Sequence, residues 1–392
     1  MNQTKRQLPY AYWLDTTLGV GKVSIQRLLN LAGTPEEVYH LPLDEVEEIL
    51  TAKQMITYKQ HKKTWNLYTE YERLEQQQIR FLSIQQEEYP TRLRHIPDAP
   101  YAIYVKGALP EEEKPTIAII GARQCSAYGR FMAREFGMGL AKEGIQVISG
   151  LAMGVDSISQ KGAMEAGGRT FGVLGCGVDI CYPQENQAIY DRMLTQGGIL
   201  SEYIPGTSPK PNYFPPRNRI ISGLSDAVLV VEAKARSGTL ITVDMALEQG
   251  KEVYALPGRT TDALSFGCNH LIQQGAGIAL SVSDFITELR EHSHILDTVL
   301  PAAAVKLKYG EQTEENRQDV ILNNMQKKIL QQMDEYPQSV ETIYRKILEH
   351  DPSEQFGMPL VLQELVSLQM REIVAQKGAF YYLTCNNRQY SV

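Results

Sequence analysis

Short apolar runs alternate with helical segments through the middle of the chain. The first example contains an apolar run at Ile117–Ile120, a helical segment at Tyr128–Glu143, and a second apolar run at Ile145–Ile148. Glycine follows each apolar run within two residues, at Gly121 and Gly150. A continuous apolar run is typical of a strand buried on both faces, and two parallel strands need a crossover of this length. The pattern therefore predicts a βαβ unit.

The same alternation continues towards the carboxyl end of the chain. Four more apolar runs are separated by helical segments, at Arg169–Leu174, Gly198–Ser201, Ala227–Val231 and Glu252–Leu256. Six apolar strands that alternate with helices predict an α/β fold with a Rossmann-like, doubly wound parallel sheet. Ligands of such sheets bind beyond the carboxyl ends of the strands. Glycines and arginines of this chain gather at those ends, so we expect the functional site there.

The segments on either side of this sheet predict further domains. We expect an N-terminal helical domain at 1–78, the sheet domain at 79–295, a linker at 296–317 and a winged-helix-like domain at 318–392. The sheet domain has plausible extra strands at Phe81–Ser83 and Tyr101–Lys106. The winged-helix-like domain is predicted from three helical segments followed by a hairpin signal at Lys377-Gly378.

Two flanking motifs allow a nucleic-acid contact, and each has a simpler alternative. Leu18-Gly19-Val20-Gly21 resembles the turn of a helix-hairpin-helix module, whose backbone N–H groups can contact a phosphate. A glycine turn between two packed helices explains the same residues, and we favour it. In a winged-helix domain, the helix that would enter a DNA groove is VLQELVSLQM, which contains Glu364 and no lysine or arginine. We therefore favour a protein contact or a packing role for that helix.

Composition narrows the class of protein and the kind of site. With 392 residues and a net charge of −7, the chain is not expected to coat nucleic acid by bulk attraction, so an anion site must be a local pocket. No run of about 18 apolar residues occurs, and the N-terminus lacks the apolar core of a signal peptide. We expect a cytoplasmic protein without a membrane span. The five cysteines show no CxxC spacing, so we expect reduced thiols, no metal site and no cofactor.

Three common site motifs are missing or incomplete. GxxxxGK(S/T), the phosphate loop of P-loop ATPases, does not occur in the sequence, and neither does the GxSxG elbow of acyl-transfer enzymes. Gly175-Cys176-Gly177 begins like the dinucleotide motif GxGxxG, but Ile180 stands where the third glycine is needed. The sequence therefore gives little support to an ATPase, an acyl transferase or a dinucleotide enzyme.

Three turns at the predicted sheet edge carry anion-binding groups instead. Gly121-Ala122-Arg123 follows the first strand, Ser149–Gly154 follows the second, and Arg236-Ser237-Gly238-Thr239 precedes a helix. Glycine-rich turns before helices present backbone N–H groups to anions, and a guanidinium binds phosphate through paired hydrogen bonds. A tight βα connection explains any one of these turns. Three of them on one edge predict a ligand that bears phosphate.

The segment Phe214-Pro215-Pro216-Arg217-Asn218-Arg219 adds groups that suit an unpaired base. Arginine binds phosphate and also stacks on bases. Phe214 and the preceding Tyr213 can stack on an unpaired base. The alternative is a helix N-terminus in which an arginine pairs with Glu202 or Glu232.

Together these motifs resemble the DNA-processing protein A (DprA/Smf) family. The resemblance runs in order over roughly residues 80–290 and is carried by GARQCSAYG, SGLAMGVDSIS, GVLGCGVDICYPQEN, ILSEYIPGTSPKPNYFPPRNRIISGLSDAVLVVEAKARSGTLIT, ALEQGKEVYALPG and GCNHLIQQGA. It implies a Rossmann-like core that binds single-stranded DNA and loads the RecA recombinase onto incoming strands during natural transformation. It also implies a homodimer without known catalytic activity.

The resemblance further implies which residues contact DNA. The matching positions of this chain are Gly121, Arg123, Ser126, Gly150, Gly154, Phe214, Arg217, Asn218 and Arg219. We add Gly238 and Thr239 from the third glycine turn. The chain departs from the family pattern at Gln184, where some members have a lysine. We expect the missing charge to come from Lys161, Arg169 and Lys210.

A dimer contact is implied near the end of the sheet domain. The apolar residues in that region are Leu271, Ile272, Ile278 and Leu280. Leu271 and Ile272 are adjacent on a short predicted helix, so they point about 100° apart and at most one can face the core fully. The other side chain is available for contact with a second subunit. In a two-fold symmetric dimer, each such apolar side chain contributes to the interface from both subunits. The alternative is that all four residues close the edge of the sheet.

Two other functions are compatible with a fold of this kind. Nucleoside-monophosphate phosphoribohydrolases have a related Rossmann-like core and carry PGGxGTxxE, but Thr242 stands where the glutamate is needed. Without that carboxylate the general acid or base has no obvious holder, so we predict that the chain is not an enzyme. A sensor of a small nucleotide could use the same pocket, and the sequence leaves that alternative open.

Overall fold

The computed structural model describes residues 3–17, 19–291, 322–333, 338–350, 356–371, 373–377 and 380–383. These residues fall into two compact units, one that ends at residue 291 and one that begins at residue 322. The linker predicted at 296–317 lies outside the described residues.

The first unit combines helices with one large sheet. Its helices are α1 (Gln3–Thr16), α2 (Lys22–Ala32), α3 (Pro35–His40), α4 (Leu43–Glu47), α5 (Ala52–Thr64), α6 (Leu67–Gln76), α7 (Thr91–Arg94), α8 (Ala127–Lys142), α9 (Val155–Glu165), α10 (Gln187–Gln196), α11 (Phe214–Leu224), α12 (Gly238–Glu248), α13 (Phe266–Gln273) and α14 (Val282–Glu291). Its strands are β1 (Ile79–Ser83), β2 (Ala102–Gly107), β3 (Thr116–Ile120), β4 (Gln146–Ser149), β5 (Thr170–Val173), β6 (Gly197–Ser201), β7 (Ala227–Val230), β8 (Glu252–Ala255) and β9 (Gly277–Ile278).

The strands of this sheet lie in the order β1-β2-β6-β5-β4-β3-β7-β8-β9. Strands β3 to β9 pair in parallel, and β2 and β1 extend the sheet as antiparallel strands at one edge. The doubly wound parallel sheet predicted from the apolar runs is confirmed, and the two extra strands are β1 and β2. Chain order reverses at β3, since β4 to β6 follow on one side and β7 to β9 on the other. A crevice for a ligand forms outside the carboxyl ends of the strands at such a reversal.

Helices cover both faces of the sheet, which explains the apolar runs. Successive residues of a strand point to opposite faces. In β3, Ile117 and Ile119 belong to one buried cluster, whereas Ala118 and Ile120 belong to another. Helix α8 contributes Phe136 to the first cluster, and α11 supplies apolar residues to the second. Both faces are therefore apolar cores, and polar residues concentrate where the strands end.

The N-terminal helices pack against the antiparallel edge of the sheet. Trp13 of α1 is fully buried, in a cluster that includes Tyr104 of β2 and Leu174 after β5. The helices predicted for this region are present and share a core with the sheet, while the domain boundary after residue 78 stays a prediction. Gly19 joins α1 to α2 with a φ of +79°, a conformation that favours glycine. Both interpretations of this motif contain such a turn, so the choice between them stays a prediction.

The second unit contains three helices and a small antiparallel sheet. Its elements are α15 (Asn324–Gln332), β10 (Gln338–Ser339), α16 (Val340–His350), α17 (Met358–Met370), β11 (Val374–Lys377) and β12 (Phe380–Leu383), and the sheet order is β10-β12-β11. Val361 and Leu365 of α17 are buried, and Glu364 accepts a hydrogen bond from Gln326 (2.8 Å). The predicted helices and hairpin strands are present, although Gly378 at the hairpin tip lies outside the described residues. The winged-helix assignment stays a prediction.

Candidate nucleic-acid interface

A cleft opens at the carboxyl edge of the sheet, where the strand order reverses. It has a volume of about 350 Å³ and is formed by the turn after β3, the start of α9 and the first turns of α11 and α12. Seven of the predicted site residues line it: Gly121, Arg123, Phe214, Arg217, Asn218, Gly238 and Thr239. They come from three segments that are distant in sequence, and the doubly wound topology brings those segments together.

The turn after β3 is anchored to the end of β7. Ser126 caps α8, since its hydroxyl oxygen accepts a hydrogen bond from the Gly129 N–H (3.0 Å). The backbone N–H of Ser126 donates to the Glu232 carboxylate (2.9 Å), and the hydroxyl donates to the other oxygen of that carboxylate. Glu232 is buried directly after β7. The prediction that Ser126 contacts DNA is corrected, because its polar groups are used within the protein to fix the turn.

Two predicted glycines allow segments of the cleft to approach closely. Gly154 has a φ of +81°, and a Cβ atom there would lie 2.3 Å from the carbonyl oxygen of Ala122. A Cβ atom on Gly150 would lie 2.7 Å from the guanidinium nitrogens of Arg217. The Gly150 N–H donates to the buried carboxylate of Asp156 (3.1 Å). Both glycines therefore shape the cleft, and the N–H group of Gly150 is already occupied.

Arg217 forms a buried, charged wall of the cleft. One terminal nitrogen of its guanidinium donates to the carbonyl oxygens of Gly150 (2.8 Å) and Val173. Burial lowers the pKa of this guanidinium to about 10, so it remains charged at neutral pH. Burial also raises the pKa of the Asp156 carboxyl, and the nearby charge of Arg217 opposes that rise. Asp156 is the one acidic side chain among the residues that line the cleft, and the sequence analysis missed it.

Arg219 faces away from the cleft and is paired within the protein. Its guanidinium donates to the Glu202 carboxylate (2.7 Å), lies 3.0 Å from a carboxylate oxygen of Asp98, and donates to the carbonyl oxygen of Pro216 (3.1 Å). Pairing with Glu202 is the alternative that the sequence left open. The prediction that Arg219 contacts DNA is corrected, because two carboxylates already neutralise its charge.

Phe214 and Arg123 lie in the accessible part of the cleft. Phe214 is partly exposed at the start of α11, with the guanidinium carbon of Arg123 5.6 Å from its ring centre and that of Arg217 5.9 Å away. Arg123 is exposed, in contrast to Arg217. An aromatic face with cations beside it suits a base and its phosphate.

The first turn of α12 supplies the third anion-binding element. Ser237 caps this helix, and its hydroxyl oxygen accepts a hydrogen bond from the Thr239 N–H (3.2 Å). Gly238 and the preceding Arg236 are exposed and line the cleft. The positive end of the helix dipole and the Arg236 guanidinium therefore face the same space as Arg123.

The three additional cations proposed from the sequence lie in different places. Arg169 directly precedes β5, so it lies at the amino edge of the parallel strands, opposite the cleft, and it pairs with Glu111 (2.8 Å). Its assignment to the DNA site is therefore corrected. Lys161 lies within α9 and does not line the cleft. Lys210 lies just before α11, with its ammonium nitrogen 5.5 Å from the ring centre of Tyr213, and remains a candidate at the rim.

Of the four residues predicted to form a dimer contact, some are buried in the core and others are exposed. Leu271 is buried in the core on one face of the sheet, and Ile272 packs partly against the same core. Ile278 of β9 and Leu280 after it are exposed. Leu271 is therefore corrected to a core residue, and the surface left for a partner is formed by Ile278 and Leu280.

Among the described residues, no helix is long and apolar enough to cross a membrane, and no three metal-ligating side chains cluster together. Cys125, Cys176, Cys181 and Cys268 are free thiols, and Cys385 lies outside the described part of the chain.

Comparison with known proteins identifies the family of this chain. The sequence profile of DNA recombination-mediator protein A matches residues 80–290. The chain belongs to this family. It is 43% identical over 206 residues to the DNA processing protein DprA of Streptococcus pneumoniae, covering 53% of this chain and 73% of that protein. It is 35% identical over 288 residues to the protein Smf of Synechocystis, covering 71% and 72%.

A solved structure supports the family at the level of the fold. The X-ray structure of DNA processing protein A from S. pneumoniae matches with a TM-score of 0.63 and 34% identity, over 71% of this chain and 97% of that one. The family match runs from β1 to α14, so it contains every segment that lines the cleft. The N-terminal helices and the second unit lie outside it.

Proposed function

We propose that this member of the DNA recombination-mediator protein A family binds single-stranded DNA in the cleft at the strand reversal. The observation that carries the proposal is the partly exposed ring of Phe214 beside two guanidinium groups, at a crevice lined by the start of α12. The ring offers a face for one base, while Arg123, Arg236 and the N-terminus of α12 offer charge for the flanking phosphates.

The geometry favours an unpaired strand over a duplex. Base faces are stacked inside a duplex, so a ring can stack on a base only where the base is unpaired. Phe214 lies within a cleft of about 350 Å³, which is lined by backbone turns, by buried side chains and by a few exposed ones. The chain carries a net charge of −7, so bulk electrostatic attraction to a polyanion contributes little to affinity. Affinity must therefore come from a few local contacts.

The proposal extends to recombination. Membership of a recombination-mediator family supports a role in which the protein holds the strand and transfers it to a recombinase, here RecA. We also propose a homodimer through the exposed Ile278 and Leu280, because two linked pockets hold one strand more tightly than one pocket. RecA loading is tested by measuring whether the protein accelerates RecA filament growth on DNA already coated by a single-strand binding protein.

Binding measurements test the proposal and separate it from its alternatives. We expect labelled oligo-dT to raise fluorescence anisotropy on titration with the protein, and we expect dTMP and AMP to compete only weakly. A sensor of a small nucleotide would give the reverse order of affinity. If the protein shows no anisotropy change with oligo-dT at low salt, the proposed function is wrong.

The enzyme alternative has little support from the residues in the cleft. Thr242 occupies the position of the phosphoribohydrolase glutamate, is buried and lines the cleft. The acidic group nearest to that role is Asp156, whose carboxylate accepts the Gly150 N–H. General acid or base catalysis needs a group within hydrogen-bond reach of the substrate and with a matched pKa.

A further inference from the structure

The segment Gly175–Pro183, here called the strap, follows β5 and contacts the cleft through Phe214. It is held in place by several hydrogen bonds. The Tyr190 hydroxyl donates to the carbonyl oxygen of Val178, and the Asp179 carboxylate accepts the Gly206 N–H (2.9 Å). The strap is therefore fixed before any ligand arrives, which lowers the ordering cost of binding through it.

Tyr182 projects from this strap next to the ring of Phe214. The two ring centres are 5.5 Å apart, with an angle of 31° between the planes. Phe214 is the one ring that Tyr182 contacts in the described part of the chain, and 43% of the Tyr182 residue remains exposed. By contrast, Tyr203 stacks on Tyr213 (4.4 Å) and donates its hydroxyl to the carbonyl oxygen of that residue (3.2 Å). Tyr182 thus keeps ring surface available to a ligand.

Positive charge lies beside Phe214 and near the start of its helix. The Arg123 guanidinium lies beside Phe214, and the Lys210 ammonium lies beside Tyr213, the residue that directly precedes Phe214. Successive bases of a bound single strand stack on neighbouring aromatic side chains while cations follow the backbone. Tyr182 and Phe214 supply the neighbouring rings, and Arg123 supplies a cation beside them.

We propose that Tyr182 is a second base-stacking site, and that the DNA strand continues out of the cleft along the strap. The proposal rests on the proposed function, since it extends the same binding surface by one nucleotide. The proposal assigns to Tyr182 a contact with a base and not with a phosphate. The factor by which affinity falls when the ring is removed should therefore be the same at every salt concentration.

The test compares ring removal with ring retention at this position. In anisotropy titrations with dT12, we expect Tyr182→Ala to bind about tenfold more weakly, the order of magnitude contributed by one stacked base. We expect Tyr182→Phe to bind like the wild type and Tyr182→Leu to bind like the alanine variant, because stacking needs the ring and not only apolar volume. The salt slope should be the same in all four proteins. The control is Tyr68→Ala, which removes an exposed tyrosine from α6, outside the cleft.

A fluorescent variant reports the contact directly. Tyr182→Trp should lose fluorescence on addition of dT12, beyond any change that Trp13 and Trp65 give in the wild type. Folded Tyr182→Ala protein with wild-type affinity for dT12, or a leucine variant that equals the phenylalanine variant, would overturn the assignment. If the wild type itself fails to bind dT12, the proposed function is wrong, and this assignment is lost with it.

Discussion

Arg219 and Arg123 occupy one predicted DNA site, but the structure gives the two side chains opposite roles. Replacing Arg219 with alanine should destabilise the fold and leave the number of phosphate contacts unchanged. The Arg219 residue is 6% exposed, and its guanidinium joins Glu202 to Asp98 and to the first turn of α11. Its removal leaves two carboxylates without their cation.

The expected loss in the free energy of unfolding depends on how exposed the carboxylates of Glu202 and Asp98 are. Breaking a fully buried ion pair costs about 3–5 kcal/mol, because the remaining charge stays buried. Here 28% of the Glu202 side chain and 56% of the Asp98 side chain are exposed, so water can solvate both after the change. We therefore expect a loss of about 2–3 kcal/mol in the free energy of unfolding. For a unit of this size, that corresponds to a fall of roughly 3–5 °C in Tm.

Arg123→Ala is the matched comparison. Arg123 is exposed and lines the cleft, so its loss should change the free energy of unfolding by less than about 0.5 kcal/mol. It should weaken binding to oligo-dT and reduce the slope of log K against log salt by about one, as expected for one lost phosphate contact. Thermal unfolding and anisotropy at several salt concentrations measure both quantities. An Arg219→Ala variant with normal Tm and a salt slope reduced by one would refute this division of roles.

Three further predictions concern other parts of the chain. Burial raises the pKa of the Asp15 carboxyl from 3.8 to about 7. The stability that the protonated carboxyl gives to the folded state is therefore complete below about pH 4 and is lost as the pH rises through 7. Asp15→Asn should raise Tm at pH 8 relative to the wild type, and the gain should be smaller at pH 5. Replacing Ile278 and Leu280 with aspartate should shift sedimentation from dimer towards monomer with unchanged circular dichroism, and a mutant that stays dimeric would place the interface elsewhere. Pure protein should release no free base from AMP, because Thr242 replaces the phosphoribohydrolase glutamate; robust release without added metal would favour the enzyme alternative.

The sheet could be predicted from the sequence because it depends on local pattern. Each parallel strand is a short apolar run bounded by glycine or a polar residue, and both faces are buried, so the run contains no polar alternation. The edge that carries the site follows from the same pattern, since it is where those runs end. The cleft residues Arg123 and Gly238 were found in this way, whereas Phe214 was found from the motif that it begins.

The groups that each arginine contacts could not be predicted from the spacing of the motifs. Residues two apart on a helix point about 200° apart, so Arg217 and Arg219 cannot both face the cleft fully. Which of them does so is decided by the packing of α11, whose apolar residues fix its rotation on the sheet. For Arg169 a signal was available: it precedes its strand, and the start of a parallel strand lies opposite the carboxyl edge.

The two faces of α11 explain how the N-terminal helices are connected to the cleft. Arg217 and Phe214 of this helix line the cleft, while Arg219 points to the loop before β2, where it meets Asp98. Asp98 also pairs with Lys22 at the start of α2. A continuous series of ion pairs thus runs from the N-terminal helices to the helix that carries Phe214. Each of these pairs involves a partly exposed carboxylate, so its contribution to stability is modest alone. The apolar residues of α11 fix the rotation of the helix on the sheet, and the ion pairs are compatible with the same rotation, in which Arg217 faces the cleft and Arg219 faces away from it.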